Sequence, residues 1–409
     1  KEGARAATAG RARQRFRRGL AVLETAFSVV LAVGALLLVR SLIELRRVDL
    51  GFDPRNVLTA RVSLPQSAYP DSASVVAFYR NLVERVEQIP GVRSAGATRI
   101  LPLTGTIGDW SITIEGRPYD PVQNPNGDWQ VVTPGYFETM GLRLARGRFL
   151  TRADREDAPL SAVINETMAE RYWPREGALG KRFHLGTRDQ PWITVVGVVR
   201  QVRHNAVVEA PRAEMYISHA QFRVAQGSVQ RGMTLVIKTA SNPLAVAGRV
   251  REVVRSLDPN LPVADVRTME QVTADALSQP RFTTLLLGLF AALALSLAAI
   301  GIYGLVSLLV TQRTHEIGIR VALGARRGAI LGMILSQGMA LAGLGVALGL
   351  AGAAFLTRVL ASLVYGVTTL DPVTFTLVPA LLGGVTLLAC LTPALRAAAV
   401  DPVVALRRE

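Results

Sequence analysis

The sequence predicts an α-helical membrane protein with four transmembrane helices and a large α+β domain spliced between the first and second. Three observations carry this. Apolar stretches lie near residues 19–39 and then three times within 282–395. A hydrocarbon core about 30 Å thick takes roughly 20 helical residues, and every stretch is long enough. Between the first and second stretch lie about 240 mostly polar residues, enough to bury one core or to split into two subdomains. Arginine, finally, gathers at alternate ends of the spans.

The segment before the first span, 1–18, holds seven Lys and Arg against Glu2 and reads as a cytoplasmic basic linker. The first span, 19–40, is closed by Arg18 and Arg40 and holds one charge, Glu24. A cleaved signal peptide also begins with a basic stretch and an apolar one, but this run is of spanning length, ends without a small-x-small site and meets Arg40 at once. It reads as a retained anchor. Glu24 is six residues beyond Arg18, about 9 Å along a helix, which puts it near the cytoplasmic interface rather than in a substrate path.

The spliced domain occupies 41–281. Val57–Leu64 alternates like a strand, and Asp71 and Ser72 open a helix with Val75, Phe78, Tyr79, Leu82, Val86 and Ile89 on one face. Pro90 and Gly91 stop it before a second strand, Val92–Thr98. The order recurs as strand Met233–Thr239, a helix after Pro243 and strand Val263–Arg267. These are two βαβ-type halves, and the duplication predicts that they close into one subdomain. Short alternating runs between them, at 111–115, 130–133, 162–164 and 193–199, predict an inserted β-rich subdomain with one helix over Glu166–Tyr172. Leu42–Val48 and Thr268–Arg281 read as helical stalks.

Phe282–Gln312, Gly328–Thr357 and Pro372–Leu395 supply the other spans, and 396–409 a tail. Two of them exceed the bilayer, which implies tilt or helix beyond it. Arg11 to Arg18, then Arg313, Arg320, Arg326 and Arg327, then Arg396, Arg407 and Arg408 mark one side, so both termini are expected inside the cell and the large domain outside. These flanks explain much of the net charge of +15, and the domain between has no long basic run, which argues against nucleic acid. With Cys390 as the single cysteine, no disulfide staples the domain. The opening on Lys1 rather than Met suggests a fragment or the second half of a longer chain.

Residues for catalysis are sparse. The four histidines show no metal-ligand spacing, and GxSxG and GxxxxGK[ST] are absent, so neither a cofactor nor an enzymatic activity is expected. The informative segment is QRTHEIGIRVALGARRG, 312–328. At 100° per residue Arg313, Glu316 and Arg320 share one helix face and Ile317, Val321 and Ala325 another, with Glu316 and Arg320 spaced for an i,i+4 pair. Such a helix either lies at the headgroups or docks a cytoplasmic partner; Gly318 and Gly324 suit both. In the third span Gly338, Ala342, Gly345 and Gly349 give small-xxx-small spacing, serving either a dimer face or packing within the chain.

The phrase THEIGIRVALGARRGAIL resembles the signature of MacB/FtsX-type ABC permeases, as do Thr133–Asp154, Ala162–Pro174, Val195–His204 and the ending DPVVALRRE. The likeness covers nearly all of the chain after residue 15 and is strongest to duplicated "orphan" permeases. It implies an inner-membrane permease half with a periplasmic domain, porter-like at 52–104 and 229–267 and sabre-like at 105–228, followed by an FtsX-like region at 282–395. It further implies a coupling helix at 312–327, in which Arg313, Glu316, Ile317, Gly318, Ile319 and Arg320 seat on a separate ABC ATPase. The partners implied are that ATPase, a second permease half or a homodimer copy, and a periplasmic protein. The function implied is mechanotransmission for export or extraction of a substrate. A transducer that activates an envelope protein such as a cell-wall hydrolase, and a receptor without an ATPase, are the alternatives.

Overall fold

The structure, a computed structural model, describes residues 2–117, 125–186, 190–323, 325–359, 365–366, 368 and 370–399, with the backbone alone at 2–14, 315, 321 and 359. The tail 401–409 and Gly324 lie outside the described residues. Two compact units are present: Lys1–Arg47 with Gln279–Glu409, and Val48–Ser278. The first is the membrane unit, with four helices long and apolar enough to span a bilayer.

Helix α1 (Glu2–Arg47) is continuous through the basic segment that composition marks as a linker. Ala and Arg are strong helix formers, and the segment lacks proline.

The chain then enters the second unit, through β1 (Val57–Ser63), α2 (Ser72–Glu87) and β2 (Val92–Thr98). The Asp71 side chain caps α2 by accepting from the Ser74 N–H. An insert follows, built of β3 (Asp109–Ile114), β4 (Asn126–Val132), α3 (Tyr136–Thr139), β5 (Leu144–Gly147), β6 (Ser161–Asn165), α4 (Glu166–Tyr172), β7 (Arg182–Leu185), β8 (Ile193–Val199), β9 (Glu214–Ser218) and α5 (Phe222–Gln226). The unit closes with β10 (Gly232–Thr239), α6 (Ala247–Leu257), β11 (Ala264–Thr268) and α7 (Met269–Ala276).

The outer strands stand in the order β11-β1-β10-β2, all antiparallel neighbours. Each βαβ half therefore has a strand of the other half between its own two, the split βαβ arrangement. Helix α2 buries Val75, Phe78, Tyr79, Leu82 and Val86. The Tyr79 hydroxyl is shared between the Val62 and Arg231 carbonyls at 2.8 Å and accepts from Met233 N, tying both halves together.

The insert is a barrel. Strands β4-β3-β7-β8-β6-β9 pair in turn, and β9 returns to β4 in parallel register, with β5 added beside β8. Alternate residues Ile112, Ile114, Val131, Ala162, Ile164, Phe183, Ile193, Val195, Met215 and Ile217 fill its interior, as the period of two requires.

The membrane unit resumes with α8 (Ser278–Gln312), α9 (Thr314–Ala322), α10 (Arg327–Val359) and α11 (Pro372–Ala398). At 35 residues α8 is about 52 Å long, well beyond a bilayer core. Helix α10 packs against both α1 and α11. One apolar cluster joins Val29, Val33 and Leu37 to Ala353, Val378 and Leu382; another joins Ile302, Val306, Ile330 and Ile334 to Cys390 and Ala394.

Candidate functional site

The short helix between the second and third spans carries exposed charge and apolar groups side by side. Its start continues α8 almost without a break: Arg313 N–H is shared between the Leu309 and Val310 carbonyls, and Ile317 N–H reaches Arg313 O at 2.9 Å. Its end is closed by Ala325 N–H on Arg320 O at 2.9 Å, a wider turn than a helix makes. The chain thereby reverses into α10.

Ile317 anchors the helix. It is 2% exposed and sits among Ile302, Val306, Ile330 and Ile334, while Gly318 beside it is also buried. Burying an isoleucine of this kind stabilises by about 2–3 kcal/mol where the surroundings are aqueous. Of the two residues expected to share its face, Ala325 is half-buried beyond the helix end and the side chain of Val321 lies outside the described residues. Glu316, Ile319 and Arg320 are exposed, and Leu323 is 83% exposed just past the last turn.

The expected Glu316–Arg320 pair does not form. Glu316 instead stands 4.0 Å from Arg313, and the Arg320 guanidinium lies back over α10 with Nη1 2.8 Å from Met333 Sδ. Both members of the Arg313–Glu316 pair are more than two-fifths exposed, so its contribution is below about 1 kcal/mol. The ridge Glu316, Ile319, Arg320 and Leu323 is thus held in place from below and left open above.

The small residues of α10 face inside the unit. A Cβ on Gly345 would stand 2.6 Å from Thr25 Cβ, and one on Gly349 2.5 Å from Val29 Cβ and 2.7 Å from Ala26 O, so both face α1. Gly338 faces Cys390 on α11, and Ala342 is 3% exposed. Glu24 points at Gly301 on α8, and Ser28 Oγ bonds to Ala294 O at 2.7 Å one turn away.

One contact was beyond sequence reasoning. Arg40, at the far end of the first span, forms an ion pair with Asp371, whose carboxylate also caps α11 through Thr374 N at 2.8 Å and Thr374 Oγ1 at 2.6 Å.

Among the described residues no group of three or more His, Cys, Asp or Glu is placed to hold a metal ion. His184 packs edge-on to Trp192, His204 faces Glu214, and His219 meets the Gln230 carbonyl. Around α9, then, the exposed side chains of Glu316, Ile319, Arg320 and Leu323 stand beside the buried Ile317.

Residues 20–253 match the MacB-like periplasmic core domain and residues 288–402 the FtsX-like permease C-terminal domain. The uncharacterized ABC transporter permease YknZ of Bacillus subtilis is 24% identical over 347 residues, which cover 83% of this chain and 81% of YknZ. The macrolide export ATP-binding/permease protein MacB of Bartonella henselae is 26% identical over 286 residues, 67% of this chain and 41% of that protein. The chain spans less than half the length of that relative. Among solved structures, the periplasmic region of MacB from Actinobacillus actinomycetemcomitans aligns with 56% of this chain and 95% of its own, at 15% identity and a TM-score of 0.38.

Proposed function

The chain belongs to the MacB/FtsX-type ABC transporter permeases, the MacB-like core domain covering more than half of it, and on that premise we propose that it transmits the work of a separate ABC ATPase across the membrane. Helix α9 seats on the ATPase, with Ile317 as the buried root and Glu316, Ile319 and Arg320 as the contact ridge, joined by Arg313 at its start. The observation that carries this reading is that combination: one isoleucine fixes the helix to α8 and α10, while its apolar and charged neighbours remain uncovered. A helix lying at the headgroups would not need to be rooted between two spans.

In this reading the arginine-rich ends face the cytoplasm of a cell with an inner membrane, and the Val48–Ser278 unit stands outside it as a porter-like sheet with a sabre-like barrel. Two such halves, in one longer chain or as a homodimer, act together, and the outer unit meets a periplasmic partner. ATP-driven closure moves α9, and the helices on either side carry that movement outward for export or extraction of a substrate.

The test is a pull-down from native membranes with the full-length parent chain as bait, comparing wild type with Arg320→Glu. Co-purification of an ATP-binding subunit with wild type and its loss from the variant is the expected result. Reactivity of buried Cys390 towards a thiol dye checks that the variant's membrane unit stays folded. If equal amounts of ATPase follow both baits, α9 is not the docking element; if none follows either, a receptor without an ATPase takes the lead.

A further inference from the structure

Residues 200–213 form a strap between β8 and β9 that has no helix or strand of its own, yet it is tied down at three separate places. The first tie is to the residues that directly follow α1. Arg203 N–H donates to Leu50 O at 3.0 Å, and Gly51, at φ +80°, lies so close to the Gln201 carbonyl that a Cβ there would collide with it. Arg200 N–H bonds to Arg143 O at 2.9 Å, and Arg143 pairs with Asp49.

The second tie is to the crossover from β2 to β3. Leu103 N–H donates to His204 O at 2.6 Å, and Ile107 N–H to Asn205 Oδ1 at 3.2 Å.

The third tie is to the outer face of the barrel. There Asp128 on β4 and Glu214 on β9 are register partners, each 2% exposed. His204 is 5% exposed, with Nδ1 3.0 Å from Glu214 Oε1 and Nε2 against the Gln130 amide. Gln130 in turn holds Ile100 O at 2.9 Å. Further along, Arg212 stands 3.4 Å from Asp128 and 3.7 Å from Asp109. Two buried carboxylates side by side are costly, and the groups that face them come from the strap: His204 at Glu214 and the partly exposed Arg212 at Asp128.

From this geometry we infer that the 200–213 strap is the relay through which displacement of the residues after the first span reaches the barrel, with His204 as the pin at its far end. The inference rests on the mechanotransmission reading for its purpose, though not for its test. A loop held only by backbone turns would absorb a displacement at Leu50 within a few residues. This one is held at its start by the post-span segment and further on by Leu103 N–H on His204 O and by the buried His204 ring against Glu214 and Gln130, so pulling one end loads the other. His204 is a positioning residue.

The experiment is amide hydrogen exchange on the full-length chain in lipid nanodiscs, comparing Gly51→Ala, which pushes on Gln201, with wild type. The expected result is exchange about tenfold faster at 49–53 and 200–203 and also at 128–132 and 214–218. Adding His204→Gln should confine the Gly51→Ala effect to the first two segments. Glu214→Gln, which keeps an acceptor for His204, should give an intermediate result, and Asp49→Ala offers a second, unstrained perturbation at the near end. An effect confined to 49–53 and 200–203 in the chain with His204 intact overturns the relay. So does spread to the barrel that persists without His204. Since no ATPase is present, loss of the coupling-helix reading in the pull-down would leave this result standing with another driver.

Discussion

Replacing Gly349 with alanine tests whether α10 packs against α1 as closely as the geometry requires. A Cβ at 349 would stand 2.5 Å from Val29 Cβ and 2.7 Å from Ala26 O. Carbon atoms settle at about 3.5–4.0 Å, so the two helices must part by roughly 1 Å at that level. Overpacking of this kind costs about 1–3 kcal/mol, offset by the 0.5–1 kcal/mol or so that alanine gains over glycine in a helix. The net expectation is a loss of about 0.5–2 kcal/mol.

Gly343 is the control on the same helix. Nothing lies within 4 Å of the place where its Cβ would be, so Gly343→Ala keeps the helix gain without the clash. The assay is thermal unfolding of the purified protein in detergent, followed by a dye that labels Cys390. The chain has one cysteine, and it is fully buried in α11, so labelling reports opening of the membrane unit. Gly349→Ala should melt several degrees below wild type and Gly343→Ala at or above it, at about 2–4 °C per kcal/mol. Equal midpoints for the two variants would refute close α1–α10 packing at Gly349. Gly345→Ala should resemble Gly349→Ala, and the double variant should lose less than the sum, since both clashes are relieved by the same separation.

The same labelling assay applies to Asp371→Ala, which removes the cap on α11 and the partner of Arg40 together. A loss of about 2 kcal/mol or more is expected, with Asp371→Asn milder because an acceptor for Thr374 N survives. For the other unit the probe is tryptophan fluorescence, because Trp110, Trp129, Trp173 and Trp192 all lie within Val48–Ser278. Burial pushes the His219 imidazole down to about 4, against an ordinary value of 6.5, with its Nε2 on Gln230 O at 3.0 Å. Between those values the unfolded chain binds a proton that the folded chain does not, so stability falls as pH drops from about 6.5 to about 4, by on the order of 3 kcal/mol. His219→Gln should flatten that fall in urea titrations across the window, and an unchanged slope would remove His219 as its source.

The spans were legible because hydrophobic length is a one-dimensional property: a bilayer sets the number of residues, and the sequence states it. The strands of the spliced domain were legible for a similar reason, and helix α4 falls on Glu166–Tyr172 as its pattern indicates. Pairing is different. Closure of the barrel joins 128–132 to 214–218 in parallel register, about 85 residues apart, and the alternation of each segment states only which face is apolar. Nor does it state that Asp128 and Glu214, on the polar face, are buried beneath the strap. Around α9 the 3.6 period set Ile317 apart from Arg313, Glu316 and Arg320 but did not say which face is covered, and it could not choose Arg313 over Arg320 as the partner of Glu316, since Met333 comes from the next helix. Arg40 and Asp371 lie over 300 residues apart, and nothing local in either segment names the other.

The insertion point also bears on how the sheet and barrel are joined. Strands β2 and β10 are antiparallel neighbours, and Thr98 and Thr234, close to where the barrel is spliced in, are register partners. Both connections to the barrel therefore leave from nearly one place, which by itself makes a hinge. What opposes it is a set of contacts across the junction: Thr98 pairs with Val132, Ala97 exchanges bonds with Thr133 through N–H to Oγ1 at 2.8 Å and O to N–H at 2.9 Å, and Arg99 N–H reaches Val131 O at 2.9 Å. Gly96 lets the Gly135–Tyr136 backbone lie directly on β2, where a side chain of any size would hold it off. Arg99 covers the join, its guanidinium 3.6 Å from the Trp129 ring and donating to Trp129 O at 2.9 Å. These contacts brace the junction, and the strap adds Leu103 N–H on His204 O at 2.6 Å, so the sheet and barrel are bound at several points besides the splice itself. Two bodies held in that way resist turning about the splice point alone.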